Sequence, residues 1–182
     1  MRLETERLLL RPLSLDDLDR FAAFYSDPEV MRYLGAGRTL SRDETEASLR
    51  RMLRSFEVDG FGQLAVERTE DGELVGRCGF LVWDAEALTP TTEAEATGPT
   101  VLEVGYTLGR DFWGQGYATE AATAVRDHAL GPMGRSRLIA FIRHENHASA
   151  RVAEKLGMCH ERDVELMELP SRLYALGKEP AR

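Results

Sequence analysis

The sequence predicts an α/β domain of the mixed α+β kind, with a central mixed, mostly antiparallel sheet and helices on both faces. Three observations carry this. Two apolar stripes at helical spacing come first, a pair of long strand-like runs joined by a tight turn follows, and a strand–helix–strand unit comes late. The chain has 182 residues, 43% hydrophobic and 30% charged, which is one domain's worth of core beneath a polar surface.

Residues 6–12 (ERLLLRP) read as an opening strand that Pro12 closes. Leu18, Phe21, Ala22 and Tyr25 then stand at i, i+3, i+4 and i+7, one stripe of a helix that Ser14 and Asp17 open and Asp27-Pro28 ends. After the irregular MRYLGAG, Ser41 with Glu44 forms a capping-box pattern for a second helix striped by Leu49, Met52, Leu53 and Phe56 and stopped by Gly60 and Gly62. GQLAVER and LVGRCGFLVW read as a hairpin turning at Glu70-Asp71-Gly72-Glu73. Residues 84–99 hold four acids, no base and two prolines, and read as an exposed, mobile loop. TVLEVGYTL is a strand with Leu102, Val104, Tyr106 and Leu108 on one face and Glu103, Gly105 and Thr107 on the other. A glycine-rich turn leads to a helix striped by Ala118, Ala121, Ala122, Val125 and Ala129. Ser136–Ile142 is a strand, Ser149–Leu156 a short helix, and 162–169 and 172–176 are two final strands parted by Pro170-Ser171.

Composition removes several function classes. No window approaches a membrane-spanning apolar run, and the charged start MRLETERLLLRPL is no signal peptide, so no membrane role and a cytoplasmic location are expected. Two cysteines make no disulfide framework or cysteine-based zinc cluster. Residues 1–99 carry 12 basic and 20 acidic side chains and so hold the whole net charge of -8, while residues 100–182 carry 11 of each. No basic face for nucleic acid is evident, and the acidic half suits a cationic partner.

The sharpest local signal is Trp113-Gly114-Gln115-Gly116-Tyr117-Ala118-Thr119-Glu120-Ala121, between a strand and a helix. Such a junction presents unpaired N–H groups to a phosphate, or it is a plain glycine turn. It comes too late in the chain for a dinucleotide fingerprint and lacks the Lys-Ser/Thr of a Walker loop. A second signal is His144-Glu145-Asn146-His147-Ala148-Ser149. Asn146 suits either a peptide-like ligand or a helix cap, and Ser149 either a ligand or its own backbone. His144 and His147 have no third ligand at metal spacing, so no metal site is predicted. Glu103 is a general-base candidate or a carboxylate satisfied by an arginine.

Taken in order, Thr5-Glu6-Arg7-Leu8, Asp27-Pro28-Glu29-Val30, Arg32-Tyr33-Leu34-Gly35, Glu103-Val104-Gly105-Tyr106, Trp113–Ala121, Asn146, Ser149 and Glu154-Lys155-Leu156-Gly157-Met158 resemble the GNAT superfamily of acyl-CoA-dependent N-acetyltransferases, in its ribosomal-protein N-terminal branch. The resemblance covers nearly the whole chain. It implies one N-acetyltransferase domain over 1–182, with acceptor-side elements in 5–60 and the acetyl-CoA core in 100–158. It further implies that the backbone of Gly114, Gln115, Gly116, Tyr117, Ala118 and Thr119 holds the pyrophosphate. The strand end at Leu108 and Asn146 would hold the pantetheine arm, Glu103 would be the base, and Ser149 the acid for the leaving thiolate. The family's frequent tyrosine acid has no counterpart in 146–158. Acetyl-CoA is the expected cosubstrate and a protein N-terminal amine the expected acceptor, in a monomer or homodimer. A small-molecule amine, or a non-catalytic acyl-CoA-binding module, are the alternatives.

Overall fold

A computed structural model describes residues 1–177. Local sequence sets most elements. A two-residue strand β1 (Leu3–Glu4) pairs with β2 (Leu8–Pro12). Ser14 and Asp17 cap a single turn reciprocally, and α1 (Leu18–Tyr25) follows, then the one-turn α2 (Pro28–Met31), capped by the Asp27 side chain. α3 (Arg42–Asp59) has the reciprocal Ser41–Glu44 cap and ends at Gly60, whose φ of +77° is the left-handed conformation that favours glycine. β3 (Gln63–Arg68) and β4 (Leu74–Asp84) form the expected hairpin. Next come β5 (Pro90–Thr91), β6 (Thr100–Leu108), α4 (Tyr117–Leu130), β7 (Leu138–Arg143), α5 (His147–Lys155), β8 (Cys159–Leu166) and β9 (Leu169–Leu176).

The strands make one sheet in the order β1-β2-β3-β4-β6-β7-β9-β8, with β5 beside β4. Every neighbouring pair is antiparallel except β6 and β7, which are parallel and joined through α4. A parallel pair needs such a crossover. Helices lie on both faces. Arg77 and Thr107 are cross-strand partners, and on their face the Arg77 guanidinium reaches Tyr25 of α1 at 2.7 Å. Tyr106 points the other way, and its hydroxyl donates to the Ser149 carbonyl of α5 at 2.9 Å. Between these layers Leu8, Leu10, Leu64, Val66, Val104, Val125, Leu138 and Leu156 are fully buried or nearly so.

Two expectations are corrected. The last turn is not at Pro170-Ser171. Leu166 pairs with Leu169, so the loop is Met167-Glu168, with φ of 51° and 60°. Pro170 fits inside β9 because β7 reaches only to Ser171, leaving the proline's missing N–H beyond the ladder. The 84–99 segment is not a free loop. β5 pairs with Val82 and Trp83, the Asp59 carboxylate accepts the N–H groups of Glu93 and Ala94, and Glu95 and Glu93 pair with Arg54 and Arg135. Composition marked it as irregular, but its side-chain anchors Asp59, Arg54 and Arg135 lie far away in sequence.

The Met167-Glu168 turn has the backbone that Asn-Gly adopts without strain. The double change Met167→Asn, Glu168→Gly should raise stability by ~1 kcal/mol in urea unfolding. An unchanged or lower midpoint would show that the turn is not strained.

Candidate functional site

The central feature is a gap within the sheet. β6 pairs with β4 over nine residues, from Thr100 to Leu108, but with β7 only at Leu102↔Leu138 and Glu103↔Ile139. Beyond Glu103 the two strands part. The Gly109 N–H bonds the Val75 carbonyl of β4 at 3.0 Å, so strand alternation turns the backbone groups of Val104, Tyr106 and Leu108 towards the gap. The Leu108 carbonyl is already taken by the Trp113 indole N–H at 3.0 Å, and the Glu103↔Ile139 pairing engages the Val104 N–H, so the free edge is the Val104 carbonyl and the backbone of Tyr106.

Glu103 stands at the vertex where pairing stops. Its side chain is only 8% exposed, and it accepts hydrogen bonds from Trp83 Nε1 at 2.7 Å and from the Phe141 N–H at 3.4 Å. The Trp83 and Phe141 rings pack edge to face, 4.9 Å between centroids, and wall off one side. Burial raises the Glu103 pKa to about 7, against the lowering effects of the Trp83 and Phe141 hydrogen bonds and the more distant Arg77 charge. The vertex of the gap therefore holds a carboxyl group poised between its two forms near neutral pH.

At the end of β6 the chain makes a single turn and enters α4. Gly114 and Gly116 have φ of +75° and +86°, and Gly116 caps α4 with no side-chain hydrogen bond. The first N–H groups of α4, at Tyr117, Ala118 and Thr119, are therefore unclaimed by a cap. A Cβ on Gly114 would meet nothing within 4 Å, so that approach is open. Gln115 turns its amide back onto the Asp111 carbonyl at 2.9 Å, away from this cradle. The Glu120 carboxylate accepts from Thr5 Oγ1 (2.6 Å), the Arg7 N–H (2.9 Å) and Arg7 Nε (2.7 Å), while Arg7 Nη1 reaches the Gln115 carbonyl at 3.1 Å. Arg7 also lies over the Tyr117 ring. This strut, which ties the glycine turn to the first strands, has no signature in local sequence, because its partners lie 113 residues apart. An uncapped helix start with open glycine backbone fits a pyrophosphate.

The strand β7 delivers the third part. Asn146 caps α5, its Oδ1 accepting from the Ser149 N–H at 3.1 Å, so the capping reading holds while its amide N–H groups stay available. Ser149 is half-buried in the first turn, and its carbonyl takes the Tyr106 hydroxyl. Tyr106, which pattern alone marked only as a strand-face residue, thus steadies the start of α5 from the gap's edge. Arg143, the last residue of β7, donates to the carbonyls of Leu166 and Leu169 and to Gly35 of the segment after α2. The glycine turn, Asn146 and Ser149 therefore stand beyond the C-terminal ends of β6 and β7, while Glu103 lies further back along β6, where the two strands begin to part. The anchored 84–99 segment lies at the opposite end of β6, where the Ala85 N–H bonds the Pro99 carbonyl.

The family model of the acetyltransferase (GNAT) domain matches residues 7–159. Protein p20 of Bacillus licheniformis, named as an uncharacterised N-acetyltransferase, is 32% identical over 161 residues, which cover 87% of this chain and 83% of that protein. The solved structure of a GNAT-family acetyltransferase from Bacillus anthracis superposes with a TM-score of 0.78 at 25% identity, covering 97% of this chain and 98% of that one. RimL, a ribosomal L7/L12 α-N-protein acetyltransferase solved with coenzyme A, shares the fold at a TM-score of 0.77 and 17% identity, over 96% and 97% of the two chains.

Two measurements probe this geometry. Gly116→Val forces a branched side chain onto a left-handed backbone beside Arg7, and should weaken acetyl-CoA binding at least tenfold by calorimetric titration, while Gln115→Ala changes it less than threefold. Equal, small effects would put the pyrophosphate elsewhere. Because the Glu103 pKa is raised on folding, the native state holds a proton that the unfolded chain releases, and stability falls as pH rises from about 4.5 to about 7. Glu103→Gln removes that penalty, so the variant should gain up to ~3 kcal/mol on the parent at pH 8, and much less at pH 4. A gain that does not change with pH would contradict the raised pKa.

Proposed function

The chain belongs to the GNAT acetyltransferase family and is an acetyl-CoA-dependent N-acetyltransferase; from this we propose that it acetylates the α-amine of a protein N-terminus, with Glu103 as the base. The observation that carries the reading is a carboxyl group with a pKa of about 7 at the vertex of the sheet gap. An ordinary carboxylate is a weak base for an ammonium group. One lifted to about 7 comes within about one unit of an α-amine, whose usual pKa is ~7.7–8.0, but stays more than three below a lysine side chain at ~10.4. The proton match thus favours an α-amine.

Acetyl-CoA supplies the acetyl group as an activated thioester. The unclaimed N–H groups of Tyr117, Ala118 and Thr119 would hold its pyrophosphate, and the Val104 carbonyl and Tyr106 backbone with the Asn146 amide its pantetheine arm. Glu103 takes the proton from the amine as the amine attacks. Backbone N–H groups at the gap's edge stabilise the acyl oxygen as it gains charge. The Ser149 hydroxyl stands in the first turn of α5, where it gives a proton to the departing sulfur.

Two features support a protein N-terminus as acceptor. The first half of the chain, which carries the acceptor-side helices, has 20 acidic and 12 basic residues and attracts a cationic end. The 84–99 segment is fastened away from the parted strand ends, so it does not cover that mouth against a following chain.

Glu103→Gln should lower kcat/KM for N-terminal peptides ~100- to 10,000-fold with acetyl-CoA affinity unchanged. In the parent, kcat/KM should rise with pH through a midpoint near 7, and the variant should lack that limb. Full activity in the variant would remove Glu103 from the base role. Faster transfer to small amines than to any peptide would replace the protein acceptor.

A further inference from the structure

The face of the sheet that carries Glu103 holds two more polar atoms, Gln63 Nε2 and Thr107 Oγ1, that are shut off from solvent and have no hydrogen-bond partner among the described residues. Gln63 is 2% exposed. Strand register places it. Gln63 lies opposite Gly79, and Gly79 opposite Gly105, so one row across β3, β4 and β6 contains a single long side chain and two glycines. The amide of Gln63 fills the room they leave. A Cβ on Gly105 would lie 3.3 Å from Nε2 and 3.2 Å from Leu81 Cδ1. Glu103 and Thr107 are the residues two before and two after Gly105 on the same face. Along β6 the backbone positions of Glu103, Gly105 and Thr107 therefore follow one another in steps of about 7 Å, with the Gln63 amide over the middle one.

The orientation of the amide is set. Arg77 Nη1 donates to Gln63 Oε1, and Arg77 Nε donates to the Tyr25 hydroxyl at 2.7 Å. With its oxygen engaged, Gln63 offers only N–H donors to the row. A buried N–H left without an acceptor costs about 1–3 kcal/mol, so this donor calls for an oxygen.

We propose that Gln63 is a specificity-determining residue, whose Nε2 donates to the carbonyl oxygen of the acceptor's first residue while Glu103 receives its amine. The spacing agrees. In an α-aminoacyl group the nitrogen and its own carbonyl oxygen are about 3 Å apart, and a hydrogen bond of about 2.9 Å at each end bridges the 7 Å step with room to bend. An alkylamine has no oxygen there and leaves Nε2 unmet, so the site selects acceptors by what it would otherwise leave unpaired. This inference rests on the acetyltransferase reading of Glu103.

The test compares a tetrapeptide with its isostere in which an alkene replaces the first peptide bond, on the parent protein and on Gln63→Met, which keeps the shape and removes the donor. The parent should prefer the carbonyl-bearing peptide ~10- to 100-fold in kcat/KM. Gln63→Met should lose that preference by slowing on the carbonyl peptide alone, with the pH midpoint still near 7. Equal slowing on both peptides would make Gln63 a support for Glu103, and no change would mean that a resident water holds Nε2; either result overturns the assignment. The parent's preference is measured without any substitution, so a variant that fails to fold leaves that arm standing, and equal rates for the two peptides there overturn it as well. If the parent transfers acetyl to no amine while binding acetyl-CoA, the failure belongs to the base reading rather than to Gln63.

Discussion

The parting of β6 and β7 after two residue pairs is the constraint on which the site depends. Each strand is held along its other side, β6 by β4 over nine pairs and β7 by β9 over six, so the gap between them opens without either strand losing its place. Both strands run the same way, and both lead at the gap's mouth into a helix, α4 after β6 and α5 after β7. The positive starts of two helices and a row of unpaired backbone groups thus come to one place, the C-terminal ends of parallel strands. The Arg7–Glu120 strut and the Tyr106–Ser149 bond tie those helix starts to the sheet.

The same parting explains the unusual carboxyl group. At the vertex Glu103 is the last residue of β6 paired with β7, and its side chain is covered by Trp83 and Phe141, so it has two donors and little water. Desolvation outweighs those donors and lifts the pKa. The protein accepts lower stability near neutral pH in holding such a group, which is common where a residue is kept ready for proton transfer. Gln63 follows a related logic on the same face, since its unmet donor is tolerated beside two glycines that admit it.

Local sequence made much of this legible. The Ser41–Glu44 cap, the Gly72 turn, the α1 stripe and the glycine turn before α4 depend on neighbours within a few residues, and each formed where its pattern stood. What depends on distant partners was hidden. Alternation put Glu103 on the polar face of its strand, but its burial needs Trp83 and Phe141, 20 and 38 residues away. The anchoring of 84–99 needs Asp59, Arg54 and Arg135, and composition there reports only irregular backbone. Pro170 misled for a different reason: a proline reads as a break unless the strand's edge is known to be unpaired at that point. Gln63 carries no local signal within GQLAVER, because only strand register, through Gly79, sets its amide over Gly105.

The most direct test of this account is a carbon-13 NMR titration of the Glu103 carboxyl, assigned by its loss in Glu103→Gln, on protein without acetyl-CoA. The account predicts a single titration with a midpoint near 7, well apart from the exposed carboxylates. A midpoint near 4.5, with the group fully ionised at pH 6, would contradict it. Glu103 would then be an ordinary carboxylate, and the dry vertex between β6 and β7 would not tune the base.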